Sequence, residues 1–357
     1  MNNLGHGADL EHMANIYKKD TSKIIDFSSN INPIIIDNIE KYIIESIDKC
    51  RSYPDIYYTN LRNNISKYIN IKPEFIIPGN GATEIIYLLM KSIENRIAIL
   101  NPTFSEYERS ARLNNLEVIN LNLMKDNDFN IDLSNIVENI DKFDSLFICN
   151  PNNPNGKVKN LGCLLDIIVK HNKLLIIDET FMEFVEDEAK YSLIKYIDKY
   201  ENIFILKAVT KFFGLPGLRL GYGITSNKEI IKNIYKYKEP WTINSFAENL
   251  SNYIFFDKEY LKKSKSYYIK ERNYMLKELK RIDKLYAYDT DTNFILIKLK
   301  GLKSYKLKEK LFKEADILIR DASNFIGLDD SFIRVAIKSH KENEIFINEL
   351  KKALNYQ

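Results

Sequence analysis

The chain has 357 residues, 45% hydrophobic and 28% charged, which is enough for one large domain and a smaller one around a buried core. Its formal net charge is +3, with lysines scattered among acidic residues, so nothing in the charge points to a nucleic-acid or membrane partner. The three cysteines (Cys50, Cys149, Cys163) show no C-x-x-C spacing and the four histidines lie far apart, so reduced thiols in a cytoplasmic protein and no metal site are expected.

The amino terminus, MNNLGHGADLEHM, has no basic segment followed by an apolar core, so no secretory signal is expected. No apolar run reaches the roughly 18 residues needed to span a membrane. Residues 1–40 are too few to fold alone and are expected to pack as an arm on the smaller domain. Residues 41–245 are expected to form the large domain. Within it, from about residue 75 to 225, short apolar runs alternate with amphipathic stretches. The runs are Phe75 to Ile77, Ile97 to Leu100, Leu146 to Ile148, Leu174 to Ile177 and Ile203 to Leu206. Each is β-branched or aromatic and bounded by polar or turn residues, as buried strands are. Helical patterns lie between them, including Glu84 to Lys91 and Asn160 to Lys170. Such βα alternation implies an α/β fold with a mostly parallel central sheet and helices on both faces. Ligands bind such sheets at the carboxyl ends of the strands. Residues 246–357 are expected to form a smaller α+β domain. It opens with a long charged helix (244 to 282), continuous or broken, and carries strand-like runs at Asn293 to Lys298 and Phe332 to Ile337.

Four polar motifs follow the strand-like runs. Gly79-Asn80-Gly81-Ala82-Thr83-Glu84 opens a helix, and its small residues let backbone N–H groups close on a phosphate. A plain turn and cap fits it equally well. Glu84 stands where the third glycine of G-x-G-x-x-G belongs, and no G-x-x-x-x-G-K-[ST] occurs. Asn150 to Gly156 (NPNNPNG) is rich in turn formers and is unremarkable alone. Asp178-Glu179 ends a strand, where a carboxylate is placed either for catalysis or simply for solvation. Thr210 to Gly223 sets Lys211 and Arg219 in a glycine-rich apolar context, where burial would lower the lysine's pKa and make it nucleophilic towards a carbonyl.

Taken together, in this order and spacing over nearly the whole chain, the four motifs resemble the aspartate-aminotransferase-like superfamily, the fold type I enzymes that use pyridoxal 5′-phosphate. The resemblance implies that Lys211 binds the cofactor covalently and later moves protons. It implies that Asp178 pairs with the pyridine nitrogen and keeps it protonated, so that the ring accepts electrons. Asn153 would donate to the phenolic oxygen, and Phe104 would stack on the ring. The backbone of Gly81, Ala82 and Thr83, with Thr210 and Arg219, would hold the phosphate. Tyr53 would reach the phosphate of a neighbouring subunit, which implies a homodimer. One departure stands out: relatives often carry a tyrosine three residues after the ring aspartate, and here Phe181 brings no hydroxyl.

Within the superfamily the chain is similar to histidinol-phosphate aminotransferases and to threonine-phosphate decarboxylase of cobalamin biosynthesis. The segments His6-Gly7, Asp26 to Pro33 (DFSSNINP), Gly79 to Glu84, Thr210 to Phe212 and Pro240 to Asn244 (PWTIN), together with Phe181, favour the decarboxylase. Both candidate substrates are phosphorylated. Arg320 and Arg334 would bind substrate anions, since arginine pairs bidentately with phosphate or carboxylate, and His6, Asn32 and Asn153 would assist. The expected reaction is decarboxylation of O-phospho-L-threonine. A histidinol-phosphate-type aminotransferase is the alternative, and a non-catalytic cofactor-binding regulator is a more distant one.

Overall fold

The computed structural model describes residues 10–355. The apolar runs fold as strands β1 (Ile76–Asn80), β2 (Arg96–Asn101), β4 (Ser145–Cys149), β5 (Leu174–Asp178) and β6 (Ile203–Ala208). Two strands that the sequence pattern did not reveal, β3 (Glu117–Asn122) and β7 (Leu220–Ile224), complete a seven-stranded sheet in the order β1-β7-β6-β5-β4-β2-β3. All pairings from β6 through β3 are parallel. β7 runs antiparallel to both its neighbours.

Strand alternation splits the core into two layers. Ile97, Ile99, Phe147, Ile176 and Phe204 turn to one face and meet Ile85 and Leu89, Tyr107 and Ala111, and Ile230 and Ile234. Ala98, Leu100, Leu146, Leu175, Ile177 and Ile205 turn to the other, where they meet Leu61, Ile65, Leu164 and Ile168. The helices concerned are α2 (Thr59–Ile69), α3 (Gly81–Ser92), α4 (Glu106–Leu113), α5 (Gly162–Lys170) and α6 (Lys228–Tyr237), preceded in the chain by α1 (Ile39–Ile47). Apolar surface on both faces of the strands requires this double cover.

The long helical pattern after residue 244 is broken into α7 (Ser245–Ile254) and α8 (Lys258–Leu279). Each half has its own cap: the Asn244 side chain accepts from the N–H of Ala247, and the Asp257 side chain accepts from that of Tyr260. α7 packs on α1 and α2, beside the large sheet. α8 crosses to the smaller sheet, where β8 (Leu285–Ala287), β9 (Phe294–Leu299), β10 (Arg320–Asp321) and β11 (Phe332–Ala336) pair antiparallel in the order β10-β11-β9-β8. Two more helices, α9 (Ser304–Ala315) and α10 (His340–Ala353), cover it.

Residues 10–27, ahead of α1, lie against this smaller unit. Ile25 and Asp26 pair in parallel with Ile317 and Leu318. Tyr17 meets the Phe312 ring edge-on at 5.3 Å, and Phe27 packs 4.7 Å from Phe346. Among the described residues no helix is long and apolar enough to cross a membrane.

Candidate active site

The carboxyl ends of β2, β4, β5 and β6 lie along one edge of the large sheet. β1 ends there too, and β7, running the other way, begins there. A cavity of about 830 Å³ opens at this edge, between the two sheets. Lys211 reaches it three residues after β6, Asp178 at the end of β5, Asn153 in the turn after β4, and Phe104 three residues after β2. Ala82 and Thr83 line it from the first turn of α3, with Thr210 and Arg219 beside them. Arg320 and Arg334 face it from the smaller sheet.

Asp178 is buried and both its oxygens are held. Oδ1 accepts from the backbone N–H of Thr180 at 2.8 Å and Oδ2 from the Tyr107 hydroxyl at 2.7 Å. Burial raises its pKa, and these donors work against the rise. Tyr107 is itself fixed, stacked 4.0 Å from Phe147 and edge-on to Phe104 at 5.6 Å. Glu179, the next residue, turns to the opposite face, where it accepts from the Ser192 hydroxyl and the N–H of Leu193. The acidic pair therefore divides into one cavity carboxylate and one structural carboxylate.

Burial pulls the Lys211 amine down to about 8, and the nearby charges of Arg334 and Arg219 add to the effect. A larger share of neutral, nucleophilic amine is present at neutral pH than for an ordinary lysine. Arg334 is buried and pulled down to about 9, by desolvation first and by Arg320 second. It donates to Asn153 Oδ1 at 2.7 Å and to the Ser28 carbonyl at 2.9 Å. Its Nε is buried without a partner among the described residues. Arg320 donates to Asn324 at 2.6 Å and lies over the Phe325 ring. Arg219 crosses Gly81 so closely that a Cβ there would meet its Nη2 at 2.4 Å, and Gly81 has φ +79°, so both space and backbone demand glycine at this position. Phe181 lines the cavity, edge-on to Phe294 at 5.0 Å.

One expected site residue falls elsewhere, and two others are not part of this chain's described cavity. Asn32 does not reach the cavity: its amide nitrogen is taken by the Phe212 carbonyl, the Tyr260 hydroxyl and Ser264, and its oxygen by the N–H of Ile34. The motif reaches the cavity instead through Ser28, Ser29 and Asn30, and the Nδ2 of Asn30 is buried without a partner among the described residues. Tyr53 stands on the surface, 82% exposed, against the Trp241 ring at 4.9 Å and away from this chain's own cavity. His6 lies outside the described residues. Tyr107, Asn30 and Thr180 were missed, and two lining arginines of α4, Arg109 and Arg112, were not anticipated either.

Six cationic side chains line the cavity: Arg109 and Arg112, ion-paired with Glu106 and Glu108 of their own helix, and Lys211, Arg219, Arg320 and Arg334, with Asp178 among them. Such a site is built for several negative charges at once. A lowered-pKa lysine, a buried carboxylate, a glycine-turned helix start with an arginine across it, and an aromatic ring fit one phosphate-bearing pyridine aldehyde, with cations left over for a second anionic molecule.

This fold and this cavity define a pyridoxal-phosphate enzyme of fold type I, the α/β class expected from the motifs. A family model for aminotransferase class I and II matches residues 22–350. The chain belongs to that family, whose members depend on pyridoxal phosphate. A protein of Caldanaerobacter subterraneus subsp. tengcongensis named "Putative threonine-phosphate decarboxylase" is 42% identical, covering 96% of this chain and 93% of its own. The crystal structure of the histidinol-phosphate aminotransferase from Clostridium acetobutylicum superposes with a TM-score of 0.89 at 40% identity, covering 94% of this chain and all of that one. That of L-threonine-O-3-phosphate decarboxylase from Porphyromonas gingivalis gives 0.82 at 26%, covering 93% and 100%.

Proposed function

We propose that the protein decarboxylates O-phospho-L-threonine to 1-aminopropan-2-ol phosphate and CO₂. The pair of arginines that the smaller sheet turns to the cavity, Arg320 and Arg334, carries the reading. One cofactor phosphate leaves Arg320 and Arg334 to meet a substrate that bears both a carboxylate and a phosphate. The name of the Caldanaerobacter relative supports decarboxylation over transamination.

Bound pyridoxal phosphate supplies an electron sink at the substrate's Cα. Lys211 holds the cofactor between turnovers and afterwards delivers a proton to Cα. Asp178, fixed by Tyr107 and Thr180, keeps the ring nitrogen protonated. The Asn153 amide, its oxygen already given to Arg334, turns its nitrogen to the phenolic oxygen. Phe104 covers the ring face. The N–H groups of Gly81, Ala82 and Thr83, with Thr210 and Arg219, hold the cofactor phosphate. Arg334 takes one substrate anion through its unpaired Nε, and Arg320 with Asn30 takes the other. Two anchors on one wall would fix the rotation about Cα and so select the bond to the carboxylate, and not the C–H bond, for cleavage. Tyr53 completes the phosphate site of a second copy, making the working unit a homodimer.

A histidinol-phosphate aminotransferase is the second reading, favoured by the likeness to the Clostridium enzyme. It would need a carboxylate-bearing co-substrate to employ Arg334, because histidinol phosphate has none. Cofactor-loaded protein incubated with O-phospho-L-threonine is expected to release CO₂ and the phosphorylated amino alcohol in equal amounts, with no keto acid. If no CO₂ appears and the protein instead makes glutamate from histidinol phosphate and its keto acid partner, the second reading replaces the first.

A further inference from the structure

Glu84 is the residue that breaks the dinucleotide-type glycine pattern, and the proposed reaction assigns it nothing. It lies in the first turn of α3, and its Oε2 accepts from the backbone N–H of Asn80 at 2.5 Å, folding the carboxylate back over the helix start. An acid there suits the helix dipole. The same positive end is what a phosphate would use, and Ala82 and Thr83, the two residues before Glu84, line the cavity. An uncompensated carboxylate at this place would repel the arriving dianion.

Lys238 removes that conflict. α6 packs against α3, and Lys238 caps the carboxyl end of α6. Its Nζ lies 3.1 Å from both oxygens of Glu84 and 2.5 Å from the Thr242 hydroxyl. The pair is shielded from water: the lysine side chain is 2% exposed and the glutamate 19%. The carboxyl end of one helix thus delivers a cation to the amino end of the other. Lys238 and Thr242 also bracket Pro240 and Trp241, which ties the PWTIN motif to the glycine motif.

We propose that Lys238 is a positioning residue for the cofactor: by neutralising Glu84 it keeps the start of α3 receptive to the cofactor phosphate. The inference rests on the assignment of that phosphate to Gly81, Ala82, Thr83, Thr210 and Arg219. Without Lys238 an uncompensated carboxylate would stand in the same helical turn as the residues assigned to the phosphate, in a partly buried setting. The penalty then falls on the loaded protein and much less on the empty one, because the phosphate is the second charge.

The test is a visible-absorbance titration of the apo protein with pyridoxal phosphate, and in parallel with pyridoxal, for the wild type, Lys238→Met, Glu84→Gln and the double variant, with apo melting temperatures alongside. Lys238→Met is expected to weaken pyridoxal phosphate binding by about tenfold or more, the scale of a like-charge contact at this range. Pyridoxal, which has no phosphate, should bind all four proteins alike. Glu84→Gln, which keeps the hydrogen bond to Asn80, should bind pyridoxal phosphate at least as tightly as the wild type, and the double variant should recover to within about threefold of it. Weakened binding by Glu84→Gln, or a double variant as poor as Lys238→Met, would overturn the inference and leave the pair a role in folding alone. Glu84→Gln keeps the bond from Asn80, so weaker binding by it overturns the inference even if Lys238→Met fails to fold. A wild type that binds pyridoxal and pyridoxal phosphate equally would remove the phosphate assignment itself.

Discussion

Asp178 does its work through a neighbour that the sequence motifs do not contain. A buried carboxylate tends to take up a proton, and the hydroxyl of Tyr107 is one of two donors that oppose this. Tyr107→Phe keeps the stack on Phe147 and removes only the donor. A hydrogen bond to a charged group contributes roughly 1.5–3 kcal/mol, so kcat/KM should fall about ten- to a hundredfold. The Asp178 pKa, already raised, should rise further. The acid limb of the activity profile therefore moves to higher pH, and activity is lost sooner as pH falls. A pH–rate profile unchanged in position would assign Tyr107 to packing alone. Why this residue was hidden is plain from its surroundings. Lys211, Asp178, Asn153 and Arg219 sit in motifs whose order carries meaning, whereas Tyr107 stands in an ordinary amphipathic helix and declares itself only by what it touches. Asn30 and Asn32 make the same point. Two asparagines lie in one loop without a helical or strand period, and nothing in DFSSNINP says which one turns to the cavity.

At the level of elements, the legible strands of the large sheet are β1, at one edge, and the central β2, β4, β5 and β6, where burial on both faces writes a continuous apolar run. β3 lies at the sheet edge and reads Glu-Val-Ile-Asn-Leu-Asn, half of it facing water, so its run is diluted. β7 reads Leu-Gly-Tyr-Gly-Ile, and its glycines disguise it for a structural reason. A Cβ on Gly221 would meet the backbone nitrogen of Ala82 at 2.3 Å, so the strand has to be bare where the start of α3 crosses it. This contact fixes the height of the phosphate-binding turn against the sheet. Gly221→Ala presses on backbone, which cannot swing aside as a side chain can. The expected cost is about 1–3 kcal/mol in denaturant unfolding, typical of overpacking, with a displaced helix start and cofactor affinity reduced more than tenfold. Wild-type stability together with wild-type affinity would show that α3 does not depend on this close approach. The break between α7 and α8 was legible only as a possibility. A run of polar and charged residues looks helical throughout, and the division depends on Asp257 finding a backbone donor to cap.

At the scale of the whole molecule, the described residues leave an apolar surface around α1 that their own packing does not cover. α1 exposes Ile44 at 67% and Ile47 at 54%, and the chain continues from it to Tyr53 and Tyr57, with Trp241 against Tyr53, all well exposed. The helix is not loosely attached, since Tyr42 stacks 3.8 Å from Tyr253 of α7. A firmly held helix with its far face apolar is suited to association with a second copy. The role proposed for Tyr53 points the same way, since the residue stands well outside its own cavity and would have to reach that of another copy. In solution the protein is expected to run at twice the 41.9 kDa chain mass in light scattering after gel filtration. Ile44→Asp should place a charge in the interface, shift the mass towards one chain, and lower cofactor affinity at the same time, because each site would lose the partner's hydroxyl. Tyr53→Phe should leave the mass unchanged and still weaken pyridoxal phosphate binding several-fold, as the loss of one hydrogen bond to a charged group does. The two variants separate assembly from contribution. If Ile44→Asp dissociates the protein without touching affinity, the dimer exists but each site is self-sufficient. If Tyr53→Phe is silent while Ile44→Asp weakens the cofactor, some residue other than Tyr53 crosses between the subunits.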